Sequence, residues 1–210
     1  MTAAADAAST KDRKVSLITL VEDIASDAQE DGVTLKALTE NLGDRAFGAA
    51  LFVLALPCCI PFLYIVPQIV ALPMAALAFQ MMIGRKKPWL PSKFAERRIS
   101  KDGLEKTARG GRKFFGWAEA VAKPRLTFLN GPKADRLIGA ILCIFCLSIL
   151  TPLPSTNTVP GFAVALVSFG MMERDGLMST GGLILGSAWV GGLIFVGIQA
   201  IALGLNLAGV

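Results

Sequence analysis

Between Pro154 and Pro160 lie Ser155, Thr156, Asn157 and Thr158, consecutive hydroxyl and amide side chains within a charge-free apolar stretch. In an apolar medium each needs a hydrogen-bond partner. They can cap broken helix ends and satisfy the backbone groups freed there, or they can present a polar site to an anion or a sugar hydroxyl. Both readings stand. Gln68 follows Pro67 in the matching place of an earlier apolar stretch, and Tyr64 and Gln80 are further polar groups of that stretch. Together these form the candidate solute-binding set. A second candidate set is charged: Asp44, Arg45, Asp135, Arg136, Glu173, Arg174 and Asp175 all stand at the edges of apolar blocks. Carboxylates and guanidiniums there can pair, start helices or carry a proton. The Asp-Arg pairs recur and so point to architecture. Glu173-Arg174-Asp175 is either an interfacial turn, with Arg174 reaching headgroups and Asp175-Gly176 making the bend, or a proton-coupling carboxylate set.

Other chemistry is thin. The chain has no His, which removes imidazole bases, Ser-His and Cys-His pairs and His-bearing zinc sites. Cys143 and Cys146 form a C-x-x-C on an apolar helix with no carboxylate beside them, which reads as core packing. Cys58-Cys59 come with no metal-ligand partners at useful spacing. The expectation is a non-enzyme with no cofactor and no metal.

The elements that position these residues follow from the distribution of charge. Of 210 residues, 53% are hydrophobic and only 18% charged, with a mean hydropathy of +0.57. A soluble domain would carry about a quarter charged residues. Residues 46–84, 137–172 and 176–210 contain no Asp, Glu, Lys or Arg at all. Blocks of that length read as membrane segments. Residues 1–45 carry a net charge of −4 and residues 85–136 a net of +10. An excess of Lys and Arg marks the cytoplasmic side, and Phe114, Phe115 and Trp117 among those bases suit anionic headgroups better than nucleic acid. The start, Met1-Thr2-Ala3-Ala4-Ala5-Asp6, predicts no cleavable signal peptide.

Leu17, Leu20, Val21, Ile24 and Ala28 predict an amphipathic helix, and Thr34 is placed to cap a second through Leu35, Leu38 and Leu42. The first apolar block holds Pro57, Pro61, Pro67 and Pro73, and reads as two arms, about 46–56 and 68–83, around a broken apex. The second block repeats the plan with arms of about 137–150 and 161–172. Such arms are shorter than a hydrocarbon core of about 30 Å, so each block is expected to enter, turn and return to the same side. The last block is one tilted span in which Gly182 and Gly186, and Ser187 and Gly191, form small-residue pairs suited to packing on the chain's own hairpins or on another copy.

The blocks also resemble each other. At an offset of 91, residues 44–61 share seven identities with 135–152, including Asp-Arg-x-x-Gly-Ala-x-Leu and a proline. Val66-Pro67 then matches Val159-Pro160, and Phe79-x-Met81-Met82 matches Phe169-x-Met171-Met172. The fold expected is an all-α polytopic membrane protein: two duplicated, Pro-broken re-entrant hairpins (44–87 and 135–175), cytoplasmic amphipathic helices (1–43), a basic interfacial segment (88–134) and a C-terminal transmembrane helix (176–210). Duplicated units with broken helices are a transporter plan, with the site at the repeat interface.

Several stretches resemble the ExoD family of exopolysaccharide synthesis proteins: Gly43-Asp44-Arg45-Ala46-Phe47-Gly48, Ala55-Leu56-Pro57, Gln80-Met81-x-x-Gly84-Arg85-Lys86-x-Pro88-Trp89-Leu90-Pro91, Lys123-Pro124-Arg125-Leu126, Pro152-Leu153-Pro154-x-x-Asn157-x-x-Pro160 and Glu173-Arg174-Asp175-Gly176-Leu177. The resemblance runs from about Leu17 to Ala188. It implies a bacterial inner-membrane protein linked to exopolysaccharide production and supplies no reaction. Combined with the repeat, it predicts transport or binding of a polar or lipid-linked solute between the hairpins. The alternative is a non-transporting assembly or regulatory subunit of a membrane polysaccharide-synthesis complex. Expected partners are anionic lipid headgroups and polysaccharide-synthesis proteins, with a homo-oligomer open and nucleic acid excluded.

Overall fold

The computed structural model describes residues 32–61, 65–103, 131–151 and 156–207, with isolated positions between 20 and 26 and between 105 and 112. The expected first amphipathic helix lies largely outside the described residues. Tyr64, Ser155, Phe114, Phe115, Trp117, the stretch Lys123-Pro124-Arg125-Leu126 and the side chain of Asp44 lie wholly outside them. Contacts divide the chain into two compact units, one of residues 1–42 with 92–121 and one of residues 43–91 with 122–210.

In the smaller unit, β1 (Val33–Thr34) leads into α1 (Leu35–Leu42), and the Ala37 N–H donates to Thr34 Oγ1 at 3.2 Å. This is the cap expected of Thr34. After α4 (Ser92–Ala95), β2 (Arg98–Ile99) pairs antiparallel with β1. Exposed ion pairs one helical turn apart, Asp102 with Lys106 and Glu105 with Arg109, mark a solvated face.

The larger unit is a helical bundle: α2 (Ala46–Ala55), running into a 3-10 turn at Leu56–Cys59, α3 (Ile65–Met82), α5 (Pro132–Leu150), α6 (Thr158–Glu173) and α7 (Gly176–Leu207). Three of these arms, α3, α5 and α6, begin earlier than the sequence led us to expect. α3 starts at Ile65 because Pro67 falls in its first turn, where a missing N–H breaks no helical bond. α5 starts at Pro132, a first position suited to proline, and extends a full turn into the charged residues Lys133, Asp135 and Arg136. Pro160 is the third residue of α6 as Pro67 is of α3, and both are fully buried.

In this unit α2 with α3, and α5 with α6, form two sequential helix pairs, and each pair packs more closely on the other than its own two helices pack together, while α7 packs closely on α6. α3 lies against α5 and α2 against α6. Each contact is made by a glycine that lets two backbones approach. A Cβ on Gly139 of α5 would stand 2.6 Å from the Met82 nitrogen and 2.8 Å from the Met81 side chain of α3. A Cβ on Gly48 of α2 would stand 2.9 Å from the Ser168 carbonyl and 3.0 Å from Met172 of α6. The rings of Phe52 and Phe169 add a tilted contact at 5.8 Å between α2 and α6. Leu51, Met74, Leu142, Phe145, Ile149 and Val164 fill the space between the helices. Cys58 and Cys146 belong to the same core, and the Cys143 thiol points to the Ala75 carbonyl at 3.9 Å. In lipid such contacts hold helices together through van der Waals complementarity.

α7 packs its first half on the bundle. Gly182 sits against Ala163 and Val167, and Gly186 against the Phe145 ring, so this pair of glycines serves the chain's own helices. From Gly191 onward the helix is exposed, and Gly191, Gly192, Gly197 and Gly204 have no neighbouring side chain within 4 Å. α3 and residues 176–204 of α7 are long and apolar enough to cross a membrane, while α6 is apolar but shorter. Exposed Val53, Ile69, Leu72, Phe162, Phe195 and Ile198 give the helices an apolar outer surface.

The glycine contacts carry a measurable consequence. Gly139→Ala is expected to lower the stability of the detergent-purified protein by about 1–3 kcal/mol through overpacking. Gly191→Ala, which meets open space, should leave it unchanged or raise it by up to about 1 kcal/mol through helix propensity. Thermal melts of the two variants side by side check this.

Candidate functional site

Because the helices cross at Gly48 and Gly139, their charged ends meet. The turn before α2, the end of α3, the start of α5 and the end of α6 surround one cavity of about 540 Å³. Among the described residues its lining includes Arg45, Arg85, Lys86, Arg136 and Arg174 with one carboxylate, Asp135. Phe47, Met81, Met171 and Pro132 form its apolar part.

Each cation is delivered by local structure. Arg45 closes the 3-10 turn Gly43–Arg45 just before α2. It is half-buried; burial pushes its guanidinium below the usual arginine value, Glu173 opposes that shift, and Arg174 adds to it. Arg136 projects from the first turns of α5 and lies over Gly84, where any Cβ would collide with its guanidinium. Gly84 has φ +83. It ends α3 in a two-bond cap, with the Gly84 N–H donating to Met81 O at 2.8 Å and the Arg85 N–H to Gln80 O at 3.0 Å.

α6 ends in the same cap. The Arg174 N–H donates to Met171 O at 3.4 Å and the Asp175 N–H to Gly170 O at 2.7 Å. Arg174 therefore occupies in α6 the place of Gly84 in α3. Its φ is +55, which makes it the one non-glycine residue with positive φ among the described residues. A left-handed conformation costs an L-residue roughly 1–2 kcal/mol. Here it carries a guanidinium into the cavity where the matching position has no side chain.

The remaining candidates fall elsewhere. Asp175 is buried and accepts from the Leu177 N–H at 2.9 Å and the Met178 N–H at 3.3 Å, which makes it the N-cap of α7. The Asp175-Gly176 bend expected from the sequence is thus a helix start. Gln80 braces the chain after α3: its Nε2 donates to Trp89 O at 3.3 Å and its Oε1 accepts the Trp89 N–H. Gln68 is half-buried in the first turn of α3. Thr156, Asn157 and Thr158 stand at the start of α6, with the Gly161 N–H donating to the Asn157 carbonyl at 3.0 Å. The Asn157 side chain makes no cap bond, and its Oδ1 is buried without a partner. The Ser168 hydroxyl, three turns further along α6, is buried and unpartnered as well. Near Asn157 the two helix pairs touch again, Gly161 packing directly on Cys58.

The charged set and the polar set therefore form two places rather than one. Arg174 and Asn157 lie beyond opposite ends of α6, whose 16 residues span about 24 Å. Four of the charged candidates, Arg45, Asp135, Arg136 and Arg174, line the cavity. Glu173 acts on it through Arg45. Sequence reasoning missed Gly84, Arg85 and Lys86 as parts of this site. The signal was present: the offset of 90 that aligns Phe79-x-Met81-Met82 with Phe169-x-Met171-Met172 also aligns Gly84 with Arg174.

Membrane-length apolar helices with a cationic cavity at one end define a membrane protein with a candidate anion-handling site. A family model described as "Exopolysaccharide synthesis, ExoD" matches residues 17–195, and the chain belongs to that family. It is 29% identical over 209 residues to Protein ExoD of Rhizobium meliloti (strain 1021), covering 94% of this chain and 84% of that protein. It is also 29% identical over 145 residues to Uncharacterized protein slr1875 of Synechocystis sp. (strain ATCC 27184 / PCC 6803 / Kazusa), covering 67% of this chain and 68% of that one. No solved structure matches the chain. Membership implies a role in exopolysaccharide synthesis.

Arg174→Gly should relieve left-handed strain of roughly 1–2 kcal/mol against about 0.4–1 kcal/mol of added unfolded-state entropy, leaving the fold as stable or slightly more so. Gly84→Ala should be destabilising by strain at φ +83. Melting temperatures that move in opposite directions check the pair.

Proposed function

We propose that this protein supports exopolysaccharide synthesis from the bacterial inner membrane by binding, and moving, a polar or lipid-linked solute at the interface of its two helix pairs. The observation that carries this reading is the cavity itself. Sequence-matched residues, Arg45 before α2 and Arg136 on α5, line one space together with the matched helix ends at Gly84 and Arg174. A fold that only needed an anchor would gain nothing from gathering four guanidiniums, against one carboxylate among the described residues, at one end of the bundle.

In this reading the two helix pairs are duplicated re-entrant hairpins. α7, with 32 residues, spans about 48 Å, while α3, α5 and α6 span about 24–29 Å. The exposed second half of α7 then completes the crossing alone, and the apex near Asn157 lies within the bilayer. Its unpartnered Oδ1 and the Ser168 hydroxyl are polar groups that a solute passing between the hairpins would meet. The basic segment of residues 85–136 faces the cytoplasm.

The experiment is exopolysaccharide output from cells carrying Arg45→Ala with Arg136→Ala at normal protein level. A drop of at least about tenfold is expected, from charge-assisted contacts of about 1.5–3 kcal/mol each. Lys133→Ala, on the exposed side of α5, should leave output near wild type. Normal output from the double variant sinks the reading, and the assembly-subunit alternative then leads. Topology is checked by a single Cys at Asn157 in a Cys-free background. Labelling from the same side as a Cys at Lys101 is expected; labelling from the opposite side alone means the arms cross the bilayer in full.

A further inference from the structure

We infer that the basic cavity binds a phosphate group, a phosphomonoester or diphosphate, held by Arg45, Arg136 and Arg174. This rests on the solute-site reading above and names the anionic part of that solute.

The first argument is charge. Among the described residues, five cationic side chains and one carboxylate line the cavity. Adding Glu173, which acts on Arg45, still leaves a clear positive excess. A single carboxylate ligand would answer only part of it, whereas a phosphomonoester carries close to two negative charges near neutral pH and a diphosphate more. The guanidinium fork matches phosphate oxygens two at a time, and three of the five cations approach from different elements: the turn before α2, the start of α5 and the end of α6.

The second argument is backbone strain, and it is independent of charge. Both α3 and α6 end in the same cap, and the left-handed position of that cap favours glycine. α3 has Gly84 there and α6 has Arg174. Strained backbone persists where the surroundings over-determine it, commonly at ligand clamps. Gly84, by lacking a side chain, leaves room for the Arg136 guanidinium, so the two matched positions deliver one guanidinium each.

The third is the apolar part of the lining, Phe47, Met81, Met171 and Pro132, at the end of a bundle whose outer surface is itself apolar. A phosphate at such a place can belong to a lipid headgroup, as basic pockets between membrane helices recognise, or to a free phosphate from water.

The test uses the full chain in an uncharged maltoside detergent, titrated separately with radiolabelled inorganic pyrophosphate and with dodecyl phosphate. Saturable binding of either is expected, weakened about tenfold to a hundredfold in Arg174→Gly and in Arg136→Ala. Arg174→Gly is the decisive variant because its fold is expected to hold. Binding of dodecyl phosphate alone assigns the site to a lipid headgroup, and binding of both assigns it to the phosphate as such. Binding of neither, or equal binding in wild type and both variants, overturns the inference. If neither binds while the Arg45/Arg136 double variant still loses exopolysaccharide output, the phosphate assignment falls and the solute-site reading survives. If output is normal as well, both fall.

Discussion

Everything in the larger unit depends on two places where a helix has no side chain. Gly48 and Gly139 let α2 reach α6 and let α5 reach α3 at backbone distance, and each seats the Met-Met pair that ends the facing helix. In lipid, apolar side chains gain nothing by leaving the solvent, so close approach and complementary shape supply the attraction between helices. The consequence reaches beyond packing. Each glycine sits one turn inside the Asp-Arg pair of its own helix, and each Met-Met pair sits two residues inside the left-handed cap of its helix. Docking glycine on methionine therefore pulls Arg45, the Asp135-Arg136 pair and two helix ends into one place, and the cavity forms at the crossing.

That convergence is unfavourable in itself. Cations brought together at the mouth of a low-dielectric bundle repel, and burial of Arg45 adds to the cost. Asp135 and Glu173 offset part of it. Most of the cations remain water-exposed, as Arg85, Lys86, Arg136 and Arg174 do, which keeps the cost moderate while leaving the positive field available to a ligand. A site of this kind is strong at the interface and weak at the midplane. The described interior holds only scattered polar groups, of which Asn157 Oδ1, Ser168 Oγ and Trp189 Nε1 are unpartnered.

Much of this was legible in the sequence. The charge-free blocks contain the apolar helices, Thr34 caps α1, and the matched motifs identify the residues that meet at the crossings. Asn157 stands one residue before α6, which begins earlier than the expected arm from about residue 161, and the Gly182–Gly186 pair packs on the chain's own helices, one of its two expected uses. What failed to show has physical reasons. Pro67 reads as a breaker unless the helix start is known to the residue, because a proline is harmless in a first turn and disruptive a turn later. The charge-free limit at Leu137 hid a further turn of α5, since a helix leaving lipid continues into water without any change of backbone. The meeting of Arg45 with the Asp135-Arg136 pair was invisible because it depends on which helix packs on which, and local pattern does not encode partner choice. Gln80 carries a polar side chain in an apolar block, yet its hydrogen bonds are spent on the Trp89 backbone, a partner nine residues away that periodicity does not reveal.

The deepest asymmetry between the two helix pairs lies at their ends. α3 leaves the bundle through Gly84 into Arg85, Lys86 and Lys87, and the chain goes on toward the smaller unit. α6 leaves through Arg174 directly into Asp175, which caps α7 and turns the chain back along α6 within two residues. So short a connection fixes Arg174 between two helix termini. Its backbone carries the α6 cap, and the next residue's carboxylate carries the start of α7. A glycine would satisfy the backbone at that point at least as well. On the other side of the cavity, Arg136 is held by its helix and lies over the bare surface of Gly84. One guanidinium is thus positioned by a turn that tolerates strain and the other by a glycine that removes an obstacle. Two different local solutions arrive at the same positive space.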